Sequence, residues 1–218
     1  MAEPSSETIT QKPRIPMLKH APQTTEETRR SLKWRVVDIA VGAAVGVMSG
    51  VMFGVFDGMS YGLFPLLTLI LPGSAALLHA LFYFPATLGL LIVRKLGASA
   101  YVLLVASFVE VVLGTKYSVS LVVIAFVQAL AAETVFAVFR YRRWTLGVTL
   151  LSSVAIGIVY NFYLLFFYYQ AFSFFSPRGL IGTACELLSA AVFAGFGSWI
   201  LYRALAKSGV LTRFVSGR

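Results

Sequence analysis

The sequence predicts an all-α membrane protein of six transmembrane helices, and three observations carry that prediction. Of the 218 residues 58% are hydrophobic and only 12% charged, about half the ~25% charged share usual for soluble domains, and the mean hydropathy is +0.82. The apolar residues fall into runs close to the ~20 residues that a helix needs to cross ~30 Å of hydrocarbon. The basic residues gather at alternate ends of those runs, as orientation signals do.

In chain order, residues 1–30 are polar and proline-rich and lack the apolar stretch of a cleavable signal; they are expected to form a disordered cytoplasmic tail. The transmembrane domain is expected over 31–207. Its apolar runs are Val36–Phe56, Ser74–Val93, the short Ser99–Leu113, Val119–Phe139, Leu146–Tyr169 and Leu180–Ala206. Residues 208–218 form a short C-terminal cytoplasmic tail. Between the first two runs lies DGMSYGLFPLLTLILPG, Asp57–Gly73. With Pro65 and Pro72 it is expected to be a long outer loop, partly inserted in the membrane and acting as a lid, or else a kinked extension of a helix.

With the N-terminus cytoplasmic, Arg29, Arg30, Lys33, Arg35, Arg94, Lys95, Arg140, Arg142, Arg143, Arg203, Lys207 and Arg213 all fall inside, against Lys116 and Arg178 outside. Both termini are then cytoplasmic, and the protein belongs in a plasma membrane. The net charge of +9 therefore reflects orientation in a bilayer rather than nucleic-acid binding. The single cysteine, Cys185, excludes an internal disulfide, and no Cys/His cluster suggests a metal site; no cofactor is implied. The chain has no GxxxxGK[ST] loop and cannot hydrolyse ATP by that route. HExxH and Asp-rich motifs are absent as well, which weakens a membrane-embedded enzyme acting on a lipid-like substrate. A scaffold subunit without ligand is the remaining alternative.

Sorted by depth, the few polar residues of the apolar runs share a level. At ~1.5 Å rise per residue, Glu110 lies about 5 Å, His79 about 8 Å, Glu186 about 9 Å, Asn161 about 12 Å and Gln128 about 13 Å below the outer helix ends. Intramembrane ionisable groups face the bundle interior or a cavity, because lipid cannot solvate them. Glu110 and Glu186, with no obvious basic partner at that depth, are expected to face a ligand. His79, Asn161 and Gln128 are either hydrogen-bonding site groups or core and interhelical contacts. Glu133 lies nearer the cytoplasmic end, where a structural ion pair with Arg140, or with Arg94 or Arg203, is expected.

The outer half of the fifth run, YNFYLLFFYYQAFSFF from Tyr160 to Phe175, reads mainly as an interfacial belt. Tyr168, seven positions after Asn161, could stack on a flat ligand from the same face. Carboxylates with aromatic walls suit a flat, nitrogen-rich and cationic molecule. In the first run Gly42, Gly46, Gly50 and Gly54 recur every four residues beside Ala40 and Ala44. That small-residue face serves either packing within the chain or docking of another membrane subunit.

WRVVDI (Trp34–Ile39), VRKLGASA (Val93–Ala100), SFVEVVLGTKY (Ser107–Tyr117) and QALAAETVFAVFRYRRW (Gln128–Trp144) resemble the YkoE-type S components of energy-coupling factor (ECF) transporters, over about residues 33 to 206. Leu96 and Leu103 depart from that pattern. The resemblance implies an S-component-like bundle that captures thiamine or its hydroxymethylpyrimidine precursor from outside, with a transmembrane coupling subunit (T) and two ATP-binding subunits as partners. It further implies Glu110 and Glu186 as acidic anchors, Gln128, Asn161 and His79 as hydrogen-bonding groups and Tyr168 as a stacking wall. Ala40, Gly42, Ala44 and Gly46 become the docking surface for the coupling subunit. Another flat, nitrogen-rich vitamin is the alternative substrate.

Overall fold

Apolar runs in lipid must satisfy every backbone polar group internally, and the helix is the form that does so within one segment. The computed structural model describes residues 33–115, 118–170, 173–209 and 211. The expected tail at 1–30, most of the tail at 208–218 and Lys116 lie outside them. Within the described residues run α1 (Val36–Ile70), a 3₁₀ stretch (Ser74–Phe82) leading into α2 (Phe84–Val93), α3 (Ala98–Val112), α4 (Ser118–Val138), α5 (Leu146–Phe167), α6 (Pro177–Ser189), a π-helical stretch (Ala190–Gly197) and α7 (Ser198–Lys207). Five stretches are long and apolar enough to span a bilayer, the 3₁₀ stretch counting with α2 and α6 running through to α7, and the shorter Ala98–Val112 brings the spans to six.

Of the two forms expected for 57–73, the outer loop is overturned and the helix extension is what the structure has. α1 runs unbroken for 35 residues, through Pro65, to Ile70, about 50 Å at 1.5 Å per residue. Proline is tolerated in membrane helices where the freed backbone group finds other company, and the turn it loosens lies in the last two turns. The helix therefore outlasts the ~30 Å hydrocarbon layer and carries Asp57 on a regular helical face.

α2 is the axis of the bundle: every residue from Pro85 to Val93 is buried. α1, α3, α4, α5 and the last span surround it, with α1 packed chiefly on α3 and each later helix on its neighbour. Pro85 at the first turn starts α2, and a left-handed Arg94 ends it. Thr145 and Ser176 cap α5 and α6, accepting from the N–H groups of Val148 and Gly179.

Two spans are irregular, and each holds the other's loose ends. The 3₁₀ stretch leaves backbone groups at the level of Ser189, whose hydroxyl donates to the carbonyl of Leu77 at 2.6 Å and accepts from the N–H of Ala80 at 3.3 Å. In return, Thr87 of α2 donates to the carbonyl of Ala194 in the π stretch at 2.6 Å. Non-helical backbone at membrane depth survives where protein supplies such partners.

The inner end is tied together by polar contacts. The Asp38 carboxylate accepts from Arg35 and lies 3.8 Å from the buried Lys95 ammonium, and the Trp34 indole donates to the carbonyl of Leu96 at 3.0 Å. The Arg94 guanidinium donates to the Tyr202 hydroxyl at 2.8 Å and lies over the Trp144 ring. The ion pair expected between Glu133 and Arg140 is not formed. Glu133 accepts from the backbone N–H of Ser99 at 2.9 Å and from the Tyr141 hydroxyl. Arg140 has left the helix in a left-handed turn and is exposed. Tyr141, beyond the end of α4, is pushed well above the usual phenol range by burial and then by its bond to Glu133.

Candidate binding site

Helix α1 brings to the bundle interior four residues at helical spacing: Phe53, Asp57, Ser60 and Phe64. They form one wall of a cavity of about 310 Å³, completed by His79 and Phe82 from the second span, Ser107 and Glu110 from α3, and Gln128 from α4. Tyr160 and Tyr163 from α5, with Tyr168 and Tyr169 just beyond it, close the far side. These positions lie toward the helix ends remote from the Arg94–Lys95 and Arg140–Arg143 turns, which places the cavity in the outer half of the bundle.

Its electrostatics are acidic. Glu110 is 1% exposed, and its Oε2 has no hydrogen-bond partner among the described residues, a costly state for a buried acceptor. Asp57, also buried, accepts from the Thr115 hydroxyl at 3.3 Å. The walls are aromatic: the Tyr160 ring meets His79 edge-on at 5.4 Å and lies nearly parallel to Tyr163 at 6.4 Å, and Phe64 meets His79 at 5.8 Å. Tyr168 stands at the rim, 47% exposed and 5.8 Å from Tyr163.

Of the six residues expected to bind substrate, Glu110, Gln128, His79 and Tyr168 line this cavity, and Glu186 and Asn161 do not. Those two border a smaller space of about 60 Å³ on the other side of His79. Glu186 is not short of a partner: it is fully buried and accepts from the Tyr83 hydroxyl at 2.8 Å, with His79 Nδ1 2.6 Å away. Its expected place as an acidic anchor in the main cavity is thereby corrected. Asn161 donates to the Thr183 hydroxyl at 3.0 Å, tying α5 to α6.

The glycine stripe packs within the chain. A Cβ at Gly42 would fall 2.8 Å from the Tyr101 ring and one at Gly46 2.7 Å from Val105, so α3 covers both and neither can form part of a docking surface. Ala40 and Ala44 lie on the exposed side of α1. Asp57, Ser60, Phe64, Tyr160 and Tyr163 are cavity residues that sequence reasoning missed. The signal for the first three was their 3.6-residue periodicity, which goes unread while the segment is left open between loop and helix extension.

Chemically the cavity offers acceptors and π faces, the surroundings of a flat ligand bearing amines or a positive charge. Among the described residues no group of three or more His, Cys, Asp or Glu side chains is placed to hold a metal ion.

Residues 37–159 match the family model described as the ABC-type cobalt transport system, permease component. A Bacillus subtilis (strain 168) protein provisionally named HMP/thiamine permease protein YkoE is 28% identical over 142 residues, 65% of this chain and 70% of its own. A crystal structure of an S-component of an ECF transporter superposes with a TM-score of 0.77 at 26% identity, over 85% of this chain and 92% of that one. The likeness to a permease and to an S component makes this chain of six apolar spans a membrane transport subunit rather than an enzyme. The chain belongs to the ABC-type cobalt transport system permease family and is an ECF S component, a multi-pass protein of a prokaryotic plasma membrane.

Proposed function

We propose that the protein captures thiamine or its hydroxymethylpyrimidine precursor from outside the cell, in the cavity between α1, α3, α4 and α5. It then delivers the ligand through a T subunit and two ATP-binding subunits. The S-component fold implies such partners, and the name of the Bacillus relative supports the choice of substrate. The observation that carries the reading is Glu110: a buried carboxylate oxygen left without a hydrogen-bond partner, in a cavity with aromatic walls. An aminopyrimidine supplies a donor for that oxygen and a flat face for Tyr160 and Tyr163, and a thiazolium adds cation–π attraction.

The cavity, about 310 Å³, is at the small end of the ~300–1,000 Å³ range of ligand sites, a volume for a one- or two-ring molecule. The family description mentions cobalt, but the scarcity of converging metal ligands among the described residues favours an organic solute. Ala40 and Ala44 remain as small, exposed positions on α1 for close approach of the T subunit.

Equilibrium dialysis on purified protein in lipid nanodiscs tests the reading. Saturable binding of thiamine or the pyrimidine without ATP is expected, weakened by Glu110→Gln. Absence of saturable binding of either compound by the unaltered protein overturns it.

A further inference from the structure

We infer that Glu186 is a positioning residue that fixes the tautomer of His79, so that His79 presents a bare Nε2 to the ligand and selects an amine over a carbonyl on the ring. The inference rests on the reading that the main cavity holds a flat heteroaromatic ligand. Its geometry is independent of which vitamin that is.

His79 forms part of the wall of the main cavity, while Glu186 lies behind it, fully buried. The Glu186 carboxylate has two neighbours with a proton to give: the Tyr83 hydroxyl on Oε1 at 2.8 Å and His79 Nδ1 by Oε2 at 2.6 Å. A carboxylate only accepts, so the imidazole proton resides on Nδ1, and in the neutral ring Nε2 is then an acceptor. Glu186 takes up Nδ1, which leaves Nε2 as the ring atom for a ligand, and the ring is held edge-on by Tyr160 and Phe64. With Glu110 the wall thus offers acceptors on two sides. A site built to receive an N–H rejects a ligand that brings a second acceptor there, because two lone pairs then face each other in a dry space.

The test compares an aminopyrimidine, thiamine, with its analogue in which oxygen replaces the exocyclic amine. The unaltered protein is expected to bind the amine form at least about 100-fold more tightly. Glu186→Gln donates from its amide to Nδ1 and moves the proton to Nε2. The amine-to-oxo ratio should fall by about tenfold or more, whereas Tyr83→Phe, which keeps the carboxylate, should leave the preference in place. A folded Glu186→Gln protein with an unchanged ratio overturns the inference.

The tautomer is also readable without any variant at Glu186. The chain has two histidines, so ¹⁵N-histidine spectra of the His20→Ala protein in nanodiscs report His79 alone. A proton on Nδ1 only is expected; a proton on Nε2, alone or as well, overturns the inference even if Glu186→Gln does not fold. If the unaltered protein binds neither compound, the proposed substrate class fails, and the spectrum still decides the tautomer.

Discussion

Gly50 of α1 lies so close to α3 that a Cβ built on it would fall 2.5 Å from the carbonyl oxygen of Ala106 and 2.6 Å from the Cβ of Val109. No rotamer change relieves a clash with backbone, so the helices must separate. Gly50→Ala is expected to destabilise the protein by about 1–3 kcal/mol, the usual cost of overpacking. Gly58, one helix face away, meets nothing within 4 Å. There Gly58→Ala should be neutral or stabilising through helix propensity. Thermal unfolding in detergent, followed by retention of a monodisperse elution peak, separates the two.

Glu110 contributes to binding at the expense of stability. Its unpartnered oxygen is buried, and an unpaired carboxylate in the bilayer core costs at least about 2.5 kcal/mol. Glu110→Gln should therefore leave the melting temperature unchanged or raise it, while ligand affinity falls about 10- to 100-fold through loss of a charge-assisted hydrogen bond. Loss of stability without loss of affinity would assign Glu110 to the fold instead. Titration calorimetry and thermal unfolding on the same preparation give both quantities.

The spans and their order were legible because hydrophobic run length responds to one physical variable, the thickness of the bilayer. The second half of α1 was not. Pro65 and Pro72 read as breakers by the rules of water-exposed chains, yet the helix runs through Pro65 to Ile70, since a membrane protein's helix tolerates proline where the freed backbone group finds another partner. Leaving that segment open between loop and helix concealed Asp57, Ser60 and Phe64. The common depth of Glu110, Gln128 and His79 did point to the cavity they share, since depth follows from sequence position. Which way Glu186 turns around its helix does not, because the π stretch after Ser189 shifts the angular phase of the last span. The same limit applied to Glu133: its partner Ser99 is a backbone N–H, invisible to any pairing of charges.

The Asp38 carboxylate holds the inner ends of α1 and α3 in register, accepting from Arg35 at 3.1 Å with Lys95 Nζ 3.8 Å away. Both Asp38 and Lys95 are almost fully buried. Removing one member of a buried pair costs about 3–5 kcal/mol, and replacing both with apolar residues costs much less. Asp38→Asn should lower the melting temperature sharply, and Asp38→Asn combined with Lys95→Met should recover part of the loss. A double-mutant cycle by thermal unfolding measures the coupling; additive losses would show that the two charges act separately.

Tyr168 and Tyr160 line the same cavity at different depths. Tyr160 is part-buried and in edge contact with both His79 and Tyr83, whereas Tyr168 is 47% exposed at the rim and touches Tyr163. A rim aromatic contributes by covering the ligand after it has entered, so its loss should show mainly in the dissociation rate. Tyr168→Phe keeps the ring and is expected to change affinity less than about threefold, while Tyr168→Ala should speed ligand release by about tenfold with little change in association, the scale of one lost aromatic contact of about 1 kcal/mol or somewhat more. Tyr160→Ala removes the ring that braces His79 and should weaken binding further, by about 100-fold, with some loss of stability from the cavity it opens. Stopped-flow measurement of ligand release distinguishes these cases: equal effects of Tyr168→Ala on association and dissociation would mean that the ring shapes the entrance and not the cover.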